Sequence, residues 1–484
     1  MKVLLSGYNF DADIINELKK KAGWKKDNVT PETLSAAYAR ISRDPRDIEE
    51  LRKEAREEVD KSRKSNETII FGLGHSSVAE HAYFNFDIIG LSRLAVEQVQ
   101  KFRMASFTEK SQRYITLEGD FVIPEEIKEL GFEKEFTCLV KEQNRVYKKL
   151  YDALIEYLFD KNSEVIKKKN GKRTVEGWAK EDARYVVSLA TESQFGMSVN
   201  ARSLENILRQ LGNSELKECR DLAKKMYELV KDLSPSIIKY IEPTLYDRTG
   251  NAELIDLFGK TGKSPKRASI PEVRLVDHTS DPDRAVTAAI LSDVKKMSYK
   301  AAVKEVRSYD GDKIRKIFIQ ILRNRMSFDS VKRYFEFADA VFEIVLSATN
   351  YAQMKRHRIA SFITENYETE LGFTLPPNID RVGMNAEFNE IMKKTEKLYK
   401  KIAASSPFHA QYVLTNAHRR KILLKMNFRE LYHFFSLRLD EHAQWDIRNT
   451  AEKMLAEIRH AAPLSTMMCC GKNNFKAMSE EIFG

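Results

Sequence analysis

"KFRMASFTEKSQRY" occupies residues 101–114 and "RHRIASFITENYET" occupies residues 356–369. One motif is written twice, and each copy lacks what the other keeps. The first has lost its opening Arg-His and the second its closing Ser-x-Arg-Tyr. A repeat alters the domain count and every motif reading that follows, so the remaining sequence is best aligned on it. Glu80 pairs with Glu336, Arg103 with Arg358 and Tyr147 with Tyr399, at separations of 256, 255 and 252 residues. Asn200 then pairs with Asn427 at a separation of 227. Between Arg103 and Asn200 the separation falls by 255 − 227 = 28, so the first copy carries an insertion.

The tyrosine pair places the insertion at about residues 155–182, where "VIKKKNGKRTVEGWAKED" is basic and glycine-containing and reads as a surface excursion. Between the copies runs "DRTGNAELIDLFGKTGKSPKRASIPE", whose Gly, Ser, Pro and Lys content is that of a linker. The expected division is a first domain over 1–245, a linker over 246–270 and a second domain over 271–484.

Composition bounds the class. The 484 residues exceed one typical domain, and 42% hydrophobic with 31% charged residues excludes a disordered or membrane protein. No apolar run approaches the roughly 18 residues of a spanning helix, and the opening "MKVLLSGYNF" is too short an apolar stretch for a signal peptide. A cytoplasmic protein without a membrane partner is expected. Cys138, Cys219, Cys469 and Cys470 show no C-x-x-C pair and read as reduced structural thiols. A net charge of +10 suits anionic ligands such as nucleotides or folates, but 81 basic against 71 acidic residues does not require nucleic acid.

Periodicity within each copy is mixed. "AYFNFDII" alternates Phe84, Phe86 and Ile88 against Tyr83, Asn85 and Asp87, the pattern of a half-buried strand. Leu91, Leu94, Gln98 and Phe102 follow at helical spacing and lead into the motif. Long amphipathic stretches such as "FTCLVKEQNRVYKKLYDALIEYLF" predict helices, so the class is α+β with helices outnumbering strands.

Three places carry chemistry. In "NFRELYHFFSLRLDEHAQWDIR" Leu431, Phe434/Phe435 and Arg438 share one helical stripe, so a guanidinium sits where the interior should be. Buried without a partner it would cost several kcal/mol, and an anion from the protein or from a ligand is expected beside it. The first copy has Gln210 or Leu211 at that place. In "RHRIAS", Arg356, His357 and Arg358 could hold phosphate or form a solvated basic edge. Where the first copy reads Lys101, Phe102, Arg103, it keeps Glu109, Ser111, Gln112 and Arg113 further on, a set able to clamp phosphate and read a base edge. "GHSSVAEH" offers His75, Ser77, Glu80 and His81, at a spacing that favours a polar ligand-facing turn over a metal site.

Together these stretches resemble the flavin-dependent thymidylate synthases, the ThyX family, whose hallmark is Arg-His-Arg, seven residues, then Ser, commonly continuing to Arg-Tyr. That spacing joins Arg103 to Ser111 in one copy and Arg358 to Asn366 in the other. The likeness extends to "GHSSVAEHAYFNF" and "LRLDEHAQWDIR". It implies a tandem duplication of two ThyX-like halves, each with a small antiparallel sheet flanked by helices. Family members are typically homotetramers whose sites draw on several subunits, so a duplicated chain is expected to pair as a homodimer that imitates the tetramer.

The resemblance also implies roles. The activity would be reductive methylation of dUMP to dTMP with FAD as cofactor and NADPH and 5,10-methylenetetrahydrofolate as co-substrates. Arg438 would be catalytic; Gln353 and Arg356 of the second copy and Glu109, Ser111, Gln112, Arg113 and Arg184 of the first would bind substrate. His357, Arg358, Asn427, Arg429 and His433, with His75, Ser77 and Glu80, would hold FAD. The losses are complementary, as Arg184 survives opposite Gln411, so one hybrid site is expected. Because Phe102, Asn366, Glu368 and Gln411 depart from the family pattern, the alternative is a nucleotide- or RNA-binding protein without turnover.

Overall fold

The computed structural model describes residues 1–9, 11, 30–33, 35–36, 48–72, 75–113, 117, 119–258 and 271–484. Its first lobe is laid out around a four-stranded antiparallel sheet, in the order β1, β2, β4, β3. β1 (Lys2–Tyr8) and β2 (Tyr83–Ser92) pair along one edge. α1 (Arg93–Gln100) follows directly, because Ser92 turns the chain and its side chain accepts from the Ala95 N–H as an N-cap. β3 (Ala105–Glu109) comes next, then α2 (Glu133–Lys161) and α3 (Gly171–Ala183). β4 (Glu192–Asn200) ends at the Asn200 cap of α4 (Ala201–Gly212), which α5 (Lys217–Val230) backs. The predicted alternation holds: Phe84, Phe86 and Ile88 are fully buried, while Tyr83 and Ile89 face outward.

The second lobe repeats this order. β5 (Val273–His278) pairs with β6 (Asp339–Ser347), and α6 (Ala348–Met354) starts at a Ser347 cap equivalent to Ser92. β7 (Ser361–Thr364) and β8 (Glu368–Phe373) precede α7 (Asn385–Ala403). β9 (His418–Asn427) pairs with β6, β7 and β8, and runs into α8 (Phe428–Arg438) and α9 (Trp445–Ala461). One detail of the repeat finds its cause in β2. Its register with β4 shifts between Ile89 and Leu91, around Gly90 at φ +77, whereas β6 pairs with β9 without a shift. Gly90 is the extra residue that lowers the separation of the copies from 256 to 255.

The lobes meet across a pseudo-twofold axis on which residues touch their own counterparts. Ser188 and Thr415, 227 apart, form an antiparallel bridge, and Gln143 on α2 donates to Thr395 on α7 at 2.9 Å, a separation of 252. Reciprocal bonds flank the axis: Tyr185 donates to Asp446 on α9 (2.8 Å) and Tyr412 to Glu218 on α5 (2.7 Å). This is the isologous contact of a symmetric dimer, built into one chain. Core residues follow it, for Phe388, Ile391 and Tyr412 of the second lobe belong to the core of the first.

Two readings change. The stretch expected as a surface excursion contains α3, whose Val175, Ala179 and Ala183 are fully buried. Its apolar residues at i, i+4 and i+8 are what tie it down. The first part of the linker, Leu245–Phe258, is helical, and residues 259–270 lie outside the described part. Among the described residues no helix is long and apolar enough to cross a membrane.

Candidate active site

α1 and α6 approach each other at the axis, where Arg93 donates to the Ala348 carbonyl. Beyond α6 the second copy delivers Gln353 and Arg356. Beyond β3 the first copy turns through Ser111, whose hydroxyl accepts the Arg113 N–H at 3.1 Å. Between these segments lies a cavity of about 230 Å³. Its wall takes Glu109, Ser111, Gln112, Arg113 and Arg184 from the first copy and Gln353, Arg356 and Arg438 from the second. All eight residues expected for substrate and catalysis therefore line one space.

Arg438, at the end of α8, is the residue whose charge needed an explanation. Its Nε donates to His357 Nε2 at 3.0 Å and its Nη2 to the Gln353 carbonyl at 3.2 Å. No carboxylate within the described residues pairs with it. Burial, then Arg356 and Arg113, lower its pKa to about 10, which still leaves it charged at neutral pH. His357 accepts on Nε2, so its proton sits on Nδ1, 3.3 Å from Glu430. Burial, helped by Arg438 and His433, holds this imidazole well below its ordinary pKa and keeps it neutral.

Two more wall residues carry buried donors without partners among the described residues. Arg184 is 6% exposed; its Nε donates to the Glu181 carbonyl, while Nη2 is buried without a partner. Gln112 accepts from Asn416 at 3.1 Å, and its amide nitrogen is likewise unsatisfied. Arg113 is ion-paired with Glu181 and donates to the His442 carbonyl. Around the wall stand six basic groups, Arg93, Lys110, Arg113, Arg184, Arg356 and Arg438, against one carboxylate, Glu109. Such a cavity suits a ligand that is anionic at one end and carries hydrogen-bonding edges at the other.

The eight residues expected for the cofactor are not brought together. Asn427 is the N-cap of α8 and accepts from the Glu430 N–H at 2.9 Å. Arg429 is paired with Glu336 at 2.8 Å, as Arg202 is with Glu80 in the first lobe. His357 has both nitrogens engaged, as described. Arg358 is half-buried with no side-chain partner among the described residues, and His433 is exposed. His75 and Ser77 are exposed on the first lobe, and Glu80 there lines a cavity separate from that of Arg438.

The pattern of the family described as thymidylate synthase complementing protein (Thy1) matches residues 26–236 and again 274–464. The chain belongs to the thymidylate synthase complementing protein family. It is a tandem duplication of two ThyX-like halves, each a small antiparallel sheet flanked by helices. The flavin-dependent thymidylate synthase of Clostridium tetani is 32% identical over 219 residues, 44% of this chain and 83% of that protein. A Thermoplasma acidophilum protein, UPF0159 protein Ta1429, is 24% identical over 483 residues, 89% of this chain and 92% of its own length. A crystal structure of ThyX from Helicobacter pylori complexed with FAD and dUMP matches 50% of this chain and 100% of that chain, at 20% identity and a TM-score of 0.32.

Five wall residues went unread in the sequence: Arg93, Lys110, Thr349, Ala352 and Asn416. Arg93 had a signal. It stands four residues before Glu97, the spacing of a helical ion pair, and the two pair on the buried face of α1.

Proposed function

We propose that the protein is a flavin-dependent thymidylate synthase that methylates dUMP reductively to dTMP at one hybrid site per chain. What carries this reading is the single cavity walled by the surviving motif residues of both copies, with Arg438 at its edge lacking any carboxylate. Arg113 and Arg184 would take the phosphate, for charge-assisted bonds to guanidinium contribute about 1.5–3 kcal/mol each. Gln112, Ser111 and Gln353 offer the hydrogen-bonding groups that fit a pyrimidine edge, and Glu109 and Arg356 complete the wall. Arg438 would stabilise negative charge developing on the uracil near N3. His357 positions it, because a neutral ring accepting at Nε2 fixes the direction of the guanidinium without competing for its charge.

The unpartnered Arg358 and the exposed His433 fit a phosphorylated cofactor, with Arg429 and Asn427 behind them. FAD bound there would supply hydride, with NADPH as reductant and 5,10-methylenetetrahydrofolate as carbon donor. His75, Ser77 and Glu80 would join this set only from a second copy of the chain, so a homodimer is part of the proposal.

The test is tritium release from 5-tritiated dUMP by the purified chain with folate, NADPH and FAD. Release above background with uptake of yellow FAD is expected. A colourless protein that releases nothing while binding dUMP would reject the catalytic reading. Calorimetry should return one dUMP per chain, and two equivalent sites would overturn the hybrid arrangement.

A further inference from the structure

Gln353, on the wall of the large cavity, is 8% exposed, and its Nε2 donates to Gln444 Oε1 at 3.3 Å. Gln444 stands directly ahead of α9 and is buried. Its Oε1 also accepts the Asp446 N–H at 3.2 Å, as the N-cap of α9, and its Nε2 donates to the Tyr185 hydroxyl at 3.0 Å. Tyr185 in turn donates to Asp446 Oδ2, which takes the Ser347 hydroxyl at 2.6 Å as well. Both glutamine side chains are thus strung on one buried chain of hydrogen bonds that starts at a carboxylate and ends at the cavity.

The two ends of an amide are told apart by their partners, and here both amides are fixed. A backbone N–H can only donate, so the atom of Gln444 facing Asp446 is its oxygen. The Asp446 carboxylate, which also accepts from Asn350 at 3.0 Å, takes the Tyr185 proton and leaves the phenol oxygen to accept from the Gln444 nitrogen. An oxygen of Gln444 that only accepts obliges Gln353 to present its nitrogen. The Gln353 Oε1 is left over: among the described residues it has no partner, and it is not sealed from the cavity. The closed side of the axis keeps the anchor and drops the rest. Tyr412 donates to Glu218 at 2.7 Å, as Tyr185 does to Asp446. Leu216, 228 residues before Gln444, is an N-cap without a side-chain bond, and Gln98, 255 residues before Gln353, accepts from Lys101 instead. The fold therefore needs the tyrosine–carboxylate bond and not the pair of glutamines.

We propose that Gln444 is a positioning residue: it holds the Gln353 amide with the oxygen towards the cavity, so that the site accepts a hydrogen bond from a neutral N–H or O–H of its nucleotide. The ring N–H of uracil and the hydroxyl of deoxyribose are the two donors of that kind in dUMP. The inference rests on the reading of the large cavity as a dUMP site.

Calorimetry on the full chain with dUMP, its N3-methyl derivative and 2′,3′-dideoxyuridine monophosphate tests it. The analogue that lacks the donor Gln353 uses should bind the wild type about tenfold more weakly than dUMP, because it leaves a buried acceptor unpaired. A loss with the N3-methyl compound assigns the ring N–H, and a loss with the dideoxy compound assigns the hydroxyl. Gln444→Leu installs the Leu216 of the closed side. It should weaken dUMP to the level of that analogue and leave the analogue's own affinity unchanged, a result that a collapsed cavity would not give. Gln353→Leu should erase the same difference directly. A wild type that binds no dUMP would sink the nucleotide reading and this inference together. Binding of dUMP with no loss for either analogue, or an undiminished preference in Gln444→Leu or Gln353→Leu, would overturn this inference alone.

Discussion

On one side of the pseudo-twofold axis Arg184 leaves a buried Nη2 without a partner at the edge of a cavity. On the other side its counterpart Gln411 is held between the Tyr367 N–H and the Phe408 carbonyl. Tyr367 itself replaces Gln112, and it is fully buried with its hydroxyl on Glu97 at 3.0 Å. Glu97 also accepts from Arg420 at 3.0 Å and pairs with Arg93 at 3.1 Å, while the Arg420 guanidinium lies 4.1 Å from the Tyr367 ring centre. The same scaffold thus holds an open basic cavity once and a packed ion cluster once. On the packed side the chain provides its own carboxylate, Glu97, and core side chains fill the space.

Breaking the packed side should have the largest effect. Glu97→Gln leaves Arg93 and Arg420 buried without a counter-charge, and removing one partner of a buried pair costs about 3–5 kcal/mol. Denaturant unfolding should show that loss with an unchanged dUMP stoichiometry. A gain of a second nucleotide site in this variant would mean that the cluster is a plug rather than core. Next comes the open side: Arg438→Leu installs the residue of the first copy, Leu211, and should lower turnover about 10²- to 10³-fold in the tritium assay. An effect below tenfold would remove Arg438 from the chemistry. Arg184→Gln imitates Gln411 and should weaken dUMP binding by about 1.5–3 kcal/mol in calorimetry. Gln411→Ala, on the closed side, should leave that affinity unchanged, and equal losses would erase the distinction between the sides.

Much of this contrast is legible in the sequence. The copies, their complementary losses and the arginine in the α8 stripe all follow from alignment and periodicity, because those are local properties of the chain. The packed cluster was not legible. Glu97 meets Tyr367 and Arg420 across 270 and 323 residues, and no local pattern announces such a meeting. For the same reason the sequence does not announce that His357 accepts from Arg438 or that Asn427 caps α8. The 165–182 stretch misled in the opposite way: its lysines and glycines resemble a loop, yet three small apolar residues on one helical face seat it against the core.

The smallest effect separates the lobes by pH. His418 and His357 are buried in the second lobe, at positions where the first has Thr191 and Phe102, which do not titrate near neutrality. Burial lowers the pKa of His418 to about 3 against a usual 6.5, and the Thr415 N–H donates to its unprotonated Nδ1. A histidine held neutral in the fold binds fewer protons there than when unfolded. Its contribution is complete above pH 6.5 and is lost progressively as pH falls towards the folded value, at about 1.4 kcal/mol per pH unit. Between pH 7 and pH 5 His418 alone should therefore cost roughly 1–2 kcal/mol of stability. Urea midpoints at the two pH values measure this, and His418→Thr should flatten the dependence by that amount. A slope unchanged in the variant would show that the acid sensitivity belongs to His357 or to the carboxylates, and that the two lobes titrate alike at this position.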